Sequence, residues 1–451
     1  MTSYQVPLDL LKRYAFCGDK KKLFRRVVNN VVPTHQDKNI MYRAMIEEKF
    51  IPAGNTLVAG IQPLRPNCAI IGSISDINYV EKLELFIRLL TAAIGCGMDF
   101  SECEDPVEVL KLYAQAAQEI KLKWKRPLRG NMATLSISHP KINEFINCKN
   151  NGDSDLSIFN ISVSIKDAEI NNSDTIKNIS ESAHRSGDPG VIFIDRVQDL
   201  KHLQYEGRIV TSVPCGEQYM FEGETCTLGA INLDAFVTNN YFDFDKYIET
   251  IEIAIKFLDS AIDQIELPDQ LMKTKSTDLR RIGLGVMGLA TTLKTMKIPY
   301  ESEEALKLSS ELAKCLTRTA VATSEKLGQE KGFHKYSNSR RNITVTCLQP
   351  TGGIRRLVAE DGFSIEPLFA EATSVSPLFS VRMAATWQEH IENAVSKTVN
   401  LPKSATVADV EKVYRTAFEY GCKGITIYRD GCKENQPISL RKCKDDKCFV
   451  E

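Results

Sequence analysis

The sequence predicts an α/β protein, and two observations carry that expectation. Short apolar runs of strand length, bounded by Gly, Asp or Pro, recur along the chain, and between them lie segments whose apolar residues repeat at helical spacing. Strands joined by connections of that length favour a wound sheet or a barrel. The 451 residues, 43% hydrophobic and 25% charged, are enough for a large core.

In chain order, residues 1–48 are expected to form a helical N-terminal segment. From about Ile40 to Glu144 a helix is expected over Tyr79–Ala93 and a strand at Cys68-Ala-Ile-Ile-Gly72. The stretch from Leu156 to Leu233 is richer in strands: FNISVSI, GVIFID and CTLGAINL are each short and bounded by turn residues. Two long amphipathic helices follow, FDFDKYIETIEIAIKFLDSAIDQI and EEALKLSSELAKCLTRTAVATSEKLG. RNITVTCL and GITIYRD are expected as the closing strands, so that residues 49–432 make one body. Residues 433–451, KENQPISLRKCKDDKCFVE, read as a polar flexible tail.

A net charge of −1 offers no bulk attraction for a nucleic-acid polymer or an anionic membrane, while leaving room for a local polyphosphate pocket. No signal-like apolar run opens the chain. The most apolar window, Leu85–Met98, is interrupted by Arg88 and is shorter than the roughly 20 residues of a membrane span. A cytoplasmic protein is expected. Thirteen cysteines without a secretory signal argue against a disulfide framework. Cys17, Cys96, Cys148, Cys315 and Cys347 are read as small buried hydrophobes.

The densest chemical segment is Val213-Pro-Cys215-Gly-Glu217-Gln218, followed by Cys226. In an extended strand Cys215 and Glu217 face the same side. A carboxylate there raises a thiol's pKa, which suits a neutral or radical cysteine better than a thiolate nucleophile. The plainer alternative is a buried thiol and a solvated Glu near a turn.

These residues resemble, in order and spacing, the active-site segment of class II ribonucleotide reductases. Stretches similar to that family run along the chain: Phe50-Ile-Pro-Ala-Gly-Asn-Thr56-Leu, Arg65-Pro-Asn-Cys68, Gly95-Cys-Gly-Met-Asp-Phe-Ser, His139-Pro-Lys-Ile-Asn-Glu-Phe-Ile and Gly187-Asp-Pro-Gly-Val-Ile-Phe-Ile-Asp-Arg. Leu279-Arg-Arg-Ile-Gly-Leu-Gly-Val-Met-Gly, Gln349-Pro-Thr-Gly, Ser364-Ile-Glu-Pro-Leu-Phe, Ser396-Lys-Thr-Val-Asn-Leu-Pro and Gly421-Cys-Lys-Gly-Ile-Thr-Ile-Tyr428-Arg-Asp-Gly continue the series. The resemblance implies a ten-stranded α/β barrel of two five-stranded half-barrels over residues 49–432, with a central finger loop. It implies Cys215 as the thiyl-radical cysteine, Glu217 as general base, and Cys68 with Cys226 as the thiol pair that ends as a disulfide. Cys443 and Cys448 of the tail would re-reduce that disulfide by exchange, drawing on thioredoxin or glutaredoxin; a chance pair or a metal half-site is the alternative.

The expected substrate contacts are Thr56, Asn160, Ser212, Pro350, Thr351, Gly352, Gly353 and Arg355. Two departures stand out. The family usually has asparagine where this chain has Val213, and its hydroxyl-bearing phosphate loop appears as Pro350-Thr-Gly-Gly-Ile-Arg355-Arg356. Glycines before a helix still leave free N–H groups for a phosphate, and Arg355 or Arg356 can add charge. The N-terminal region is too short for an ATP-cone, whereas a deoxynucleotide specificity effector near Ser75–Arg88 and a homodimer remain compatible with the resemblance.

The strand ending Ile427-Tyr428-Arg429 lacks the second tyrosine of radical pathways that start in another subunit. The resemblance therefore favours adenosylcobalamin as cofactor. The alternatives are a minimal catalytic subunit that holds no cofactor and takes its radical from a separate dimetal, radical-generating subunit, or an altered member that binds nucleotide as a regulator. Gly283-Leu-Gly-Val-Met-Gly288 satisfies the dinucleotide-binding glycine pattern, but Asp278-Leu-Arg-Arg precedes it instead of an apolar strand.

Overall fold

The computed structural model describes residues 14, 19–124, 128–150, 155–198, 207–358, 362–368 and 374–432. Strand β1 (Phe50–Pro52) is followed by β2 (Cys68–Ser75), β3 (Gly95–Glu102), β4 (Asn131–Ser136), β5 (Phe159–Ile165) and β6 (Gly190–Phe193). The last five lie side by side, all parallel, in that order. Helices Tyr79–Thr91, Pro106–Trp124, Ile142–Asn147 and Ser173–Ser186 make the connections between them, as parallel neighbours require.

After the hairpin β7 (Ile209–Ser212) and β8 (Tyr219–Phe221) comes β9 (Thr225–Asn232); a small hairpin, β10 (Val237–Thr238) and β11 (Tyr241–Phe242), precedes the long helix Phe244–Ile262. The remaining sheet strands are β12 (Ile282–Met287), β13 (Thr398–Leu401) and β14 (Gly424–Arg429). β9 runs parallel to β12, and β13 parallel to β14. The first five-stranded set meets this second set through antiparallel pairs, β2 with β9 and β6 with β14. One ten-stranded sheet results, with β1 also on β9.

Regular pairing stops between β12 and β13, and residues 344–348 occupy the gap. On one side Leu284 N donates to Val345 O (2.8 Å) and Cys347 N to Leu284 O (3.2 Å); on the other, Leu348 N donates to Ala394 O and Ser396 N to Leu348 O, both 2.9 Å. RNITVTCL, expected as a strand, is thus irregular chain carrying isolated bridges. Its side chains explain this: Asn342 is drawn into buried hydrogen bonds with Ser324 and Asp259, and Thr346 into a partly buried one with Thr317, which compete with a regular ladder.

Strands covered on both faces read as unbroken apolar runs, and every residue of β9 and β12 is buried. Outside the sheet the helices close one large core, in which Phe86 lies between Tyr113 (5.3 Å) and Phe159 (5.9 Å). The helix Glu303–Lys331 starts where Ser302 accepts from Ala305 N, a cap of about 1 kcal/mol. None of the described helices is long and apolar enough to cross a membrane.

Candidate active site

The hairpin of β7 and β8 forms the finger. It packs inside the sheet against β2, β3 and β4, and its limbs pair at Ser212↔Tyr219, Thr211↔Met220 and Ile209↔Phe221. Gly97 makes the passage possible: a Cβ there would lie 2.0 Å from Ser212 O. Gly283 does the same on the opposite strand, where a Cβ would lie 2.4 Å from both Gln218 Nε2 and Cys347 Sγ. The glycine pattern of Gly283–Gly288 therefore lies largely within β12 and gives room to the finger.

Residues 213–218 form the tip, closed by Val213 N to Gln218 O (2.9 Å) and Gly216 N to Val213 O (3.0 Å). Cys215 and Glu217 consequently share a turn, and the expected strand alternation is not what brings them together. Cys215 opens onto a cavity of about 250 Å³, with protein packed around its other sides. Burial, then the charges of Glu217 and Cys68, push its thiol well above the usual range. Glu217 is 2% exposed, and burial raises its carboxyl to about 7. Its Oε2 has no hydrogen-bond partner among the described residues, so either protonation state is held without a fixed counter-charge.

Cys68 and Cys226 face each other across the antiparallel β2–β9 pair. Directly opposed residues have Cα atoms about 4.5–5.5 Å apart, within the span of a disulfide. A hydrogen bond donated by the Cys68 thiol to Cys226, then burial, hold the Cys68 thiol well above the ordinary value, and Glu217 adds to the effect. The structure thus gathers Cys215, Glu217, Cys68 and Cys226 around the finger tip, although they come from three separate places in the chain.

Of the expected substrate contacts, Asn160, Ser212 and Pro350 line the cavity with Cys215, as does Tyr428. Asn160 Nδ2 donates to Pro214 O (2.8 Å), while the Ser212 hydroxyl donates to Val213 O (3.0 Å). Thr56, Thr351, Gly352, Gly353 and Arg355 lie outside the cavity wall. Thr56 begins a short 3-10 turn with its buried hydroxyl unpartnered among the described residues. Thr351 sits at φ +59° and its hydroxyl accepts from Ser364 N (3.0 Å). The helix expected after the glycines is only a 3-10 turn, Arg355–Leu357, and the Arg355 guanidinium lies 3.8 Å above the Phe363 ring. Val213 packs in the apolar cluster of Ile70, Met220, Leu228 and Cys226 and takes no part in the cavity wall.

The Tyr428 hydroxyl is buried without a partner among the described residues, and burial pushes it up to about 12. Cys443 and Cys448 lie outside the described residues. Sequence reasoning missed Lys397, a 4% exposed cation on the cavity wall paired with Glu366; its signal was the Ser396-Lys-Thr stretch, quoted only as a resemblance. Cys347, expected as a small buried hydrophobe, is indeed buried, yet it lies near enough to Glu217 for that carboxylate to raise its thiol further after burial. Among the described residues no group of three or more His, Cys, Asp or Glu can hold a metal ion.

Comparisons with known proteins agree with this geometry. The family described as ribonucleotide reductase, barrel domain, matches residues 160–346 and 358–428. A vitamin B12-dependent ribonucleoside-diphosphate reductase of Mycobacterium tuberculosis is 33% identical over 423 residues, 74% of this chain and 61% of that protein. One bearing the same name from Thermoplasma acidophilum is 31% identical over 434 residues, 76% of this chain and 56% of the relative. A ribonucleoside-diphosphate reductase subunit alpha of Chlamydia pneumoniae is 34% identical over 188 residues, 39% of this chain and 18% of its own length. The chain spans about three fifths of the length of the first two. With more than half of the chain matched and the finger, the two parallel strand sets and the four clustered residues in place, this chain belongs to the ribonucleotide reductase barrel-domain family.

Proposed function

We propose that the chain reduces ribonucleotides to 2′-deoxyribonucleotides by thiyl-radical chemistry. The observation that carries this reading is the meeting of Cys215, Glu217, Cys68 and Cys226 at the finger tip. As a thiyl radical, Cys215 takes the hydrogen atom from C3′, and Glu217 takes the proton of the 3′-hydroxyl. The 2′-hydroxyl leaves as water with a proton from the thiol pair. Cys68 and Cys226 supply two electrons and two protons in all and become a disulfide, after which Cys215 returns its hydrogen to C3′. Raised thiol pKa values keep Cys68 and Cys215 as S–H groups, the form that donates hydrogen. A carboxyl near 7 can both accept and return a proton at neutral pH.

The relatives' names support adenosylcobalamin and a diphosphate substrate. Adenosylcobalamin supplies, when bound, a carbon radical from homolysis of its cobalt–carbon bond. The enclosed space, about 250 Å³, is at or below the low end of small-molecule sites and suits a nucleotide's sugar and base, so a corrin fits only at the mouth. Tyr428, with its unpartnered buried hydroxyl on the cavity wall, is the residue that would meet it there. Cys443 and Cys448 are proposed to return electrons from thioredoxin or glutaredoxin. Exposed Ile77 and Val80 within the Ser75–Arg88 segment support a second copy of the chain as a further partner.

The test is purified protein with ribonucleoside diphosphate, dithiothreitol and adenosylcobalamin, read for deoxynucleotide. Product from the wild type and none from Cys215→Ser is the expected result. Turnover by Cys215→Ser would overturn the radical assignment, and product that forms only on adding a dimetal subunit would replace the cofactor.

A further inference from the structure

The finger is held from two sides. On one, Asn160 Nδ2 binds Pro214 O (2.8 Å). On the other, the 4% exposed Asn393 donates from Nδ2 to Gln218 Oε1 (2.6 Å) and Tyr219 O (3.1 Å), while its Oδ1 accepts from Tyr219 N (2.8 Å). The neighbouring Ala394 N donates to Glu217 O (3.1 Å). The Asn393 carboxamide thus takes both main-chain groups of Tyr219, as a neighbouring strand would. Gln218 is fully buried, with its Nε2 3.4 Å from Ile282 O of β12.

The segment that carries Asn393 is itself anchored. Gln388 Nε2 donates to Ile391 O (3.3 Å) and Asn393 O (3.1 Å), and its Oε1 accepts from Val395 N (3.2 Å). Lys423 Nζ donates to Glu392 O (2.7 Å) and Asn393 O (2.6 Å). Cys215 and Glu217 therefore sit between an anchor at residue 214 and anchors at 217–219. A two-stranded hairpin with three residue pairs has little stability of its own, so its accuracy of placement comes from these clamps.

We infer that Asn393 and Gln218 form a positioning pair that sets where Cys215 and Glu217 stand for the reaction proposed above, on which this inference rests. Removing the carboxamide leaves three buried partners unpaired and lets the tip shift, and shifts near 1 Å cost about 10²-fold in rate.

The test is Asn393→Ala and Gln218→Met in the full chain. Asn393→Ala should lose roughly 10²-fold in kcat with KM for ribonucleotide within about twofold, since neither residue itself lines the cavity. The acid limb of its pH–rate profile should fall below that of the wild type as water reaches Glu217. Gln218→Met, which keeps both Tyr219 bonds, should lose about tenfold and carries the test if Asn393→Ala does not fold. Wild-type kcat and an unmoved pH profile in a folded variant would overturn the inference. If the wild type forms no deoxynucleotide, the proposed reaction fails. The clamp is then read from iodoacetamide labelling of Cys215 at pH 8, quantified on the Cys215 peptide. A several-fold faster rate in either variant supports it, and an unchanged rate overturns it.

Discussion

Replacing Gly97 by Ala tests whether the finger's path through the sheet sets the geometry at Cys215. The added Cβ would stand 2.0 Å from Ser212 O and 2.7 Å from Ile70 Cδ1. Ile70 can turn away, because its contact is the far end of a side chain. Ser212 O is main chain and cannot. Real Cβ contacts stay above 3.0 Å, so the β7 limb must retreat by at least about 1 Å, three residues before Cys215. Overpacking of this kind costs about 1–3 kcal/mol of stability. A catalytic group displaced by 1 Å costs about 10²-fold in rate, near 2.7 kcal/mol of activation free energy. The assay pairs steady-state turnover with thermal melting. Gly97→Ala should melt a few degrees lower and lose about 10²-fold in kcat. A variant that folds and turns over like the wild type would refute the threading argument.

The remaining predictions concern charge and redox state. Burial raises Glu217 from its ordinary value to about 7, so the folded state binds this proton more tightly than the unfolded chain and stability falls as pH rises from about 4.5 to 7. Glu217→Gln should therefore flatten that fall, gaining up to about 3 kcal/mol above pH 7 in urea titrations while losing turnover. In the active wild type, kcat should decline as pH drops below about 7. Cys226→Ser should leave Cys68 without its facing thiol, so that thiol titration after one turnover finds no loss of two S–H groups, whereas the wild type loses two. Arg281 grips Glu224 through Nε (3.1 Å) and Nη2 (2.9 Å) and also reaches Thr344, with both ionic side chains 1% exposed. Arg281→Met should cost about 3–5 kcal/mol, seen as a lower urea midpoint.

Much of this was legible in the residues. FNISVSI is β5 from its first residue to its last, and the two long amphipathic stretches became the helices Phe244–Ile262 and Glu303–Lys331, because strand and helix periods were unbroken there. RNITVTCL misled because its alternation is that of a strand, while Asn342 and Thr346 bond sideways. The cysteines were legible as a set only through order and spacing; that Cys68 faces Cys226 is a matter of register between distant strands, which periodicity does not report. Val213 looked like a lost polar contact, yet it fills an apolar cluster beside Cys226. Asn393 gave no signal at all, since a buried amide reads in sequence like any loop asparagine.

The place where Cys68 meets Cys226 has a mechanical consequence. Among the described residues the two parallel strand sets touch in regular pairing at two seams, each of two residue pairs, and one of those four pairs is Cys68 with Cys226. A disulfide there rivets one half of the molecule to the other, and its reduction frees them. Each catalytic cycle would then alternate between a pinned and an unpinned barrel, so amide exchange in β2 and β9 should slow on oxidation, and the reductant would be acting on a hinge pin as well as on a spent thiol pair.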